Sequence, residues 1–143
     1  MIVENIFENK IFPELKKYVE EKSIYKPTVT KAMPQQSKVF PIVPVKLLPV
    51  TNKYNNSSYG EETYTFGIEI NVYSMASGKT SKRTICNEVT EQAVDYFKTN
   101  YHVTIKTELD ALNTDSNVHR NIIKITGKLD TKYGLDNLVI YPN

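Results

Sequence analysis

Residues 63–73 read TYTFGIEINVY, and the alternation in this stretch decides the fold. Tyr64, Phe66, Ile68, Ile70 and Val72 share one face of an extended chain, while Thr63, Thr65, Glu69 and Asn71 share the other. Such a period of two marks a strand with one face in a core and the other half-solvated. A sheet that is apolar on one side needs a second layer to cover it, and the flanking sequence supplies helices.

Downstream, a short loop through Gly78 leads to an amphipathic helix over residues 80–99. Ile85, Val89, Ala93, Tyr96 and Phe97 form its buried stripe, with Ser81 or Thr80 as N-cap. Alternation returns over 102–109, where Val103, Ile105 and Leu109 fall on one side. A polar loop over 110–118 (DALNTDSNV) precedes a strand over 119–130 with Ile123, Ile125 and Leu129 in phase. Leu138 to Tyr141 is a short apolar run, suited to a last strand or to docking on a neighbour.

Upstream, residues 51–62 are rich in turn formers and read as a long exposed hairpin loop. Residues 39–50 are apolar and β-branched but carry Pro41, Pro44 and Pro49, so an edge or bulged strand is expected there. Residues 23–38, polar and with Pro27 and Pro34, read as a connecting loop. A first helix covers 3–22, with Ile6, Phe7, Ile11, Leu15, Tyr18 and Val19 at helical spacing. Pro13 either kinks it or opens a second helix. The whole is one α+β domain over residues 1–143, in the order α-β-β-α-β-β. Its sheet is mainly antiparallel, with helices on one face.

Composition narrows the function. Eighteen basic against sixteen acidic residues give a net charge of +2, without the concentrated basic footprint of a dedicated nucleic-acid binder. There is no polybasic run beside an apolar helix, and no stretch approaches the ~20 apolar residues of a membrane span. Met1 to Glu8 carries Glu4 and Glu8 and does not read as a signal peptide. Ten Tyr and five Phe without Trp suit half-exposed positions and subunit contacts.

Motifs for chemistry are weak. Ser77-Gly78-Lys79-Thr80 sits where a phosphate-binding loop would, between a strand and a helix, but position 73 is Tyr where that loop needs Gly. The single Cys86 cannot form an intramolecular disulfide, and it reads as a small buried thiol beside the helix stripe rather than a nucleophile. Cys86, His102 and His119 are too widely spaced to pair as metal ligands. Glu61 with Glu62, and Glu88 with Glu91, read as solvated charges. The Asn56-Ser57-Ser58 sequon would matter only in a secreted eukaryotic protein. Lys79, Lys82 and Arg83 cluster at the start of the second helix, where a sequence-blind contact with DNA phosphates is open to them. No catalytic residue, cofactor or metal is expected.

The ordered layout carries a resemblance. A first amphipathic helix leads to Phe-Pro-Ile-Val at 40–43, a long polar hairpin and Ile-Glu-Ile-Asn-Val-Tyr at 68–73. One long helix follows, then a two-strand finish containing Asn-Thr-Asp-Ser-Asn-Val-His-Arg at 113–120. This resembles the tail terminator (tail completion, minor capsid) proteins of long-tailed bacteriophages, over nearly the whole chain. The resemblance implies a virion protein of a siphophage, a myophage or a phage-derived contractile particle, assembled in the host bacterial cytoplasm. Six subunits would form a ring that caps the tail tube, stops its growth and joins it to the neck.

Its implied partners are copies of itself, the tail-tube protein, a neck or head-completion protein and, in contractile particles, the sheath. DNA would pass through the lumen, and no membrane is involved. On this reading hairpin 51–62 and loop 110–118 hold the interface candidates Tyr54, Tyr59, Glu61 and Asp115, with Arg120 just beyond. Lys79, Lys82 and Arg83 would face the lumen. The rivals are another head–tail connector protein, and a small ligand-binding domain or enzyme using the cleft between sheet and helix with His102 or His119.

Overall fold

The computed structural model describes residues 2–31, 39–56, 61–130 and 140–141. The first helix is one continuous path in three parts: α1 (Ile2–Ile6), a π-helical turn (Phe7–Ile11) and α2 (Phe12–Lys22). Pro13 explains the middle part. It brings no N–H to the first turn of α2, and Phe12 N–H reaches back to Phe7 O, the longer bond of a π-turn. Pro13 thus sits in the first turn of α2, the second of the two expected alternatives, while the helical path continues into it through the π-turn. Val3, Ile6, Phe7, Ile11, Phe12, Leu15 and Val19 all stay on the buried side.

Among the described residues seven strands follow: β1 (Thr28–Thr30), β2 (Ile42–Leu47), β3 (Thr51–Asn56), β4 (Glu61–Ser74), β5 (Thr104–Glu108), β6 (His119–Asp130) and β7 (Ile140–Tyr141). Helix α3 (Lys82–Asn100) lies between β4 and β5. The sheet runs β1-β2-β4-β6-β5, with β3 also pairing β4 and β7 also pairing β6. All pairings are antiparallel except β1 with β2. The α+β class and the mainly antiparallel sheet are as expected.

The order of elements is corrected, to α-β-β-β-β-α-β-β-β among the described residues. The segment 23–38, expected as loop, holds β1, because three residues pair in parallel with β2 after the Ile24–Tyr25 turn. The prolines of 39–50 do not push β2 to the edge. Pro41 and Pro49 fall outside it, and only Pro44 lies within. Its missing donor falls in the gap of the ladder to β4 between Ile42↔Tyr73 and Val45↔Ile70, across which the register is unchanged and no bulge forms. The expected hairpin loop 51–62 is mostly strand: polar β3 has no hydrophobic period of its own and is recruited by pairing with β4, shifting register between Tyr54 and Asn56. The apolar run near the C-terminus adds strand β7, which pairs with Lys128 and Leu129; Leu138 and Val139 lie outside the described residues.

The core lies on one face of the sheet. Tyr64, Phe66, Ile68, Ile70 and Val72 of β4 pack with Ile123, Ile125 and Leu129 of β6 under the helices. From α3 come Cys86, Val89, Ala93, Tyr96 and Phe97. Three tyrosines join this packing, Tyr96 buried and Tyr18 and Tyr101 half-buried against the core. The Tyr18 and Tyr96 rings are 5.7 Å apart, and Tyr96 meets Tyr101 at 5.9 Å. The Tyr96 hydroxyl donates to Glu14 Oε2 at 3.0 Å, tying α3 to α2.

Candidate functional site

The strand–turn–helix passage after β4 sets the geometry of the most polar region. Ser77 and Thr80 exchange backbone hydrogen bonds of 3.1 and 2.9 Å around Gly78 and Lys79. Gly78 takes φ +57, a value glycine reaches without strain at a tight turn. The N–H groups of Ser77 and Thr80 are therefore engaged within the turn itself. Ser81 caps α3, its Oγ accepting from Thr84 N–H at 3.2 Å. Ser74, fully buried, donates to Lys82 O at 2.6 Å and fixes the helix start against β4.

This start of α3 meets loop 110–118 across an open hollow of about 670 Å³. Its rim includes Lys82, Arg83, Asp110, Asn113, Asp115 and Ser116. Lys82 Nζ donates to Ser116 O, and Arg83 stands 3.5 Å from Asp110. Asp115 shapes the loop: its Oδ1 accepts from Asn117 N–H at 2.9 Å, and its carbonyl accepts from Val118 N–H at 3.2 Å. Arg120 reaches across the far side of the sheet, donating to Asn71 Oδ1 and to Leu112 O, each at 3.0 Å, and lying over the Tyr73 ring.

Behind the hollow lies a satisfied polar network. Asn121, fully buried, accepts at Oδ1 from Asp110 N–H at 3.0 Å, so its Nδ2 faces Asn87 Oδ1 and Thr90 Oγ1, each at 2.9 Å. His119 Nε2 lies 3.1 Å from the same Oδ1 and must donate to it. His119 Nδ1 then faces Asp110 Oδ1 at 3.5 Å. Among the described residues no buried side-chain polar atom lacks a partner.

Cys86 is fully buried, its thiol directed at Val72 O at 3.2 Å. Burial pushes its pKa up to about 11, the opposite of what a nucleophile needs. It approaches the carbonyl of His119 and not the ring. His102 is exposed beyond β5, whose register places it at the other end of β6 from His119. No three Cys, His, Asp or Glu residues form a metal-binding group among the described residues.

Of the residues nominated from sequence, Lys82, Arg83 and Asp115 meet at one rim, and Arg120 is anchored behind it. Lys79 is separate, exposed at the tip of the preceding turn. Tyr54 and Glu61 lie not in a loop but in β3 and β4, at the opposite end of the sheet. Tyr59 and the sequon serine residues fall outside the described residues. Glu88 is not a solvated charge: it accepts from Ser23 Oγ at 2.6 Å and joins α3 to the end of α2. Sequence reasoning missed Asn121, although its phase was legible, since it shares the inward parity of Ile123 and Ile125. No helix among the described residues is long and apolar enough to cross a membrane. No family model matches the chain, and no curated protein matches it with significance.

Proposed function

We propose that this chain is a structural virion subunit of the tail-terminator kind, working in a ring that caps a tail tube and joins it to the neck. The observation that carries the reading is a subunit with two working ends. Strand β4 pairs with β6 from Thr63↔Asp130 to Ser74↔His119. At 3.3 Å per residue, a strand of 14 residues separates its ends by about 45 Å. One end carries the β3–β4 hairpin, and the other carries loop 110–118 with the start of α3. A cap must hold two different partners, the tube on one side and the neck on the other, and a stiff blade with a polar contact zone at each end suits that work. Lys79, Lys82 and Arg83 belong to the second end, where they are suited to loose contact with DNA phosphates.

The test is assembly. Light scattering on the purified protein, followed by negative-stain imaging with and without tail tubes, is expected to reveal rings in solution or on tube ends. Shortening the hairpin within residues 55–60 is expected to leave melting behaviour unchanged and to abolish control of tail length. A protein that ignores tubes but binds portal complexes would replace this reading with that of a head–tail connector. One that ignores both would end it.

A further inference from the structure

The two outer strands of the sheet end differently. On β1, the outward groups of Val29 are already taken: its N–H donates to Glu20 Oε2 at 2.9 Å, and its carbonyl accepts from Lys16 Nζ at 2.9 Å. Lys16 and Glu20 are themselves paired at 2.6 Å, so α2 closes this edge with side chains. On β5 no described strand pairs the side away from β6. Lys106, Thr107 and Glu108 are exposed there, and Leu109 is 57% exposed. Beside this edge runs a groove of about 340 Å³ between β5 and α3, lined by Val94, Thr107 and Leu109 among others.

A lysine on an edge strand ordinarily discourages pairing. Here Lys106 also stands directly opposite Lys124 of β6, a like-charge pair that is unfavourable as it stands. Glu108 lies two residues along on the same face, where its cross-strand partner is Ile122. Among the described residues no ion pair reaches either side chain, so the strand carries an unneutralised cation and an unneutralised anion at a spacing of two.

We propose that β5 pairs antiparallel with β5 of a second copy of this chain, about a two-fold axis through Thr107. Opposite residues of an antiparallel pair must share a face, so a symmetric pairing is centred on a residue. Centring on Lys106 sets that lysine against its own copy. Centring on Ile105 leaves Lys106 opposite Thr104. Centring on Thr107 sets Lys106 opposite Glu108 twice, and Ile105 opposite Leu109 twice on the face of the groove. Because β1 is closed, an edge-to-edge contact of this kind is self-limiting: it makes a pair, and does not propagate into a continuous sheet. The pairing does not rest on the ring reading, since a ring with one rotational sense is built from heterologous contacts and this contact is two-fold.

The test is charge reversal with rescue. So short a contact is expected to dimerise weakly, with Kd between about 10 µM and 1 mM. Lys106→Glu and Glu108→Lys should each weaken the dimer about tenfold or more by placing like charges opposite twice, and the double variant should restore it. Thr107→Cys should cross-link across the axis, because facing residues lie ~4.5–5.5 Å apart at Cα, within disulfide range, whereas Lys106→Cys should not. A protein monomeric at about 1 mM, a dimer indifferent to Lys106→Glu, a double variant no better than the single ones, or cross-linking at position 106 in place of 107 would each overturn the proposal.

Discussion

Single residues in this protein act as fixed joints. Asn121 is the clearest, because one side chain satisfies the backbone of Asp110, the ring of His119 and the polar groups of Asn87 and Thr90. Asn121→Ala leaves several buried groups without partners and should lower unfolding free energy by about 2–4 kcal/mol, measured by urea denaturation. Asp110 depends on the same joint: it holds φ 61, a left-handed conformation uncommon outside glycine, with its N–H bonded to Asn121. Cys86 is a joint of another kind. Burial raises its pKa from 9.0 to about 11, so the unfolded chain ionises first as pH rises. Stability from this thiol is intact below pH 9 and is lost between pH 9 and about 11. Replacing it by Ala should flatten that part of a stability–pH curve, and a thiol reagent at neutral pH should label Cys86 only as fast as the protein opens.

At the scale of elements, burial was legible and recruitment was not. β4 announces itself because its own side chains alternate, and α3 because its stripe repeats at helical spacing. β1 and β3 carry no such internal signal. Thr28–Thr30 becomes a strand because β2 lies beside it and α2 supplies side chains for its outer groups. Thr51–Asn56 becomes one because β4 runs past it. The same logic governs the candidate site: Lys82 and Arg83 were visible as a basic cluster, but their meeting with Asp110 and Ser116 depends on a loop closing back over the helix start. A strand made by its neighbours should fail with them. Glu20→Ala removes the acceptor for Val29 N–H, and should cost about 1–3 kcal/mol while opening a second sheet edge. Hydrogen exchange at Val29 and sedimentation at rising concentration would register the two effects separately. Protection unchanged at Val29 would mean that the clamp is dispensable.

For the whole molecule, the long β4–β6 ladder has a mechanical meaning. Its two strands enter from opposite ends: β4 begins at the hairpin, and β6 begins at loop 110–118. A pull applied between those two ends drags the strands past each other along their length. The twelve paired positions then share the load side by side, and must yield together. A pull across the sheet at one end would open the same bonds one after another, at lower force. Single-molecule extension with handles at the hairpin and at loop 110–118 should therefore rupture at higher force than handles at Ser74 and His119. Under tension from end to end, this blade behaves as a rivet line and not as a zip.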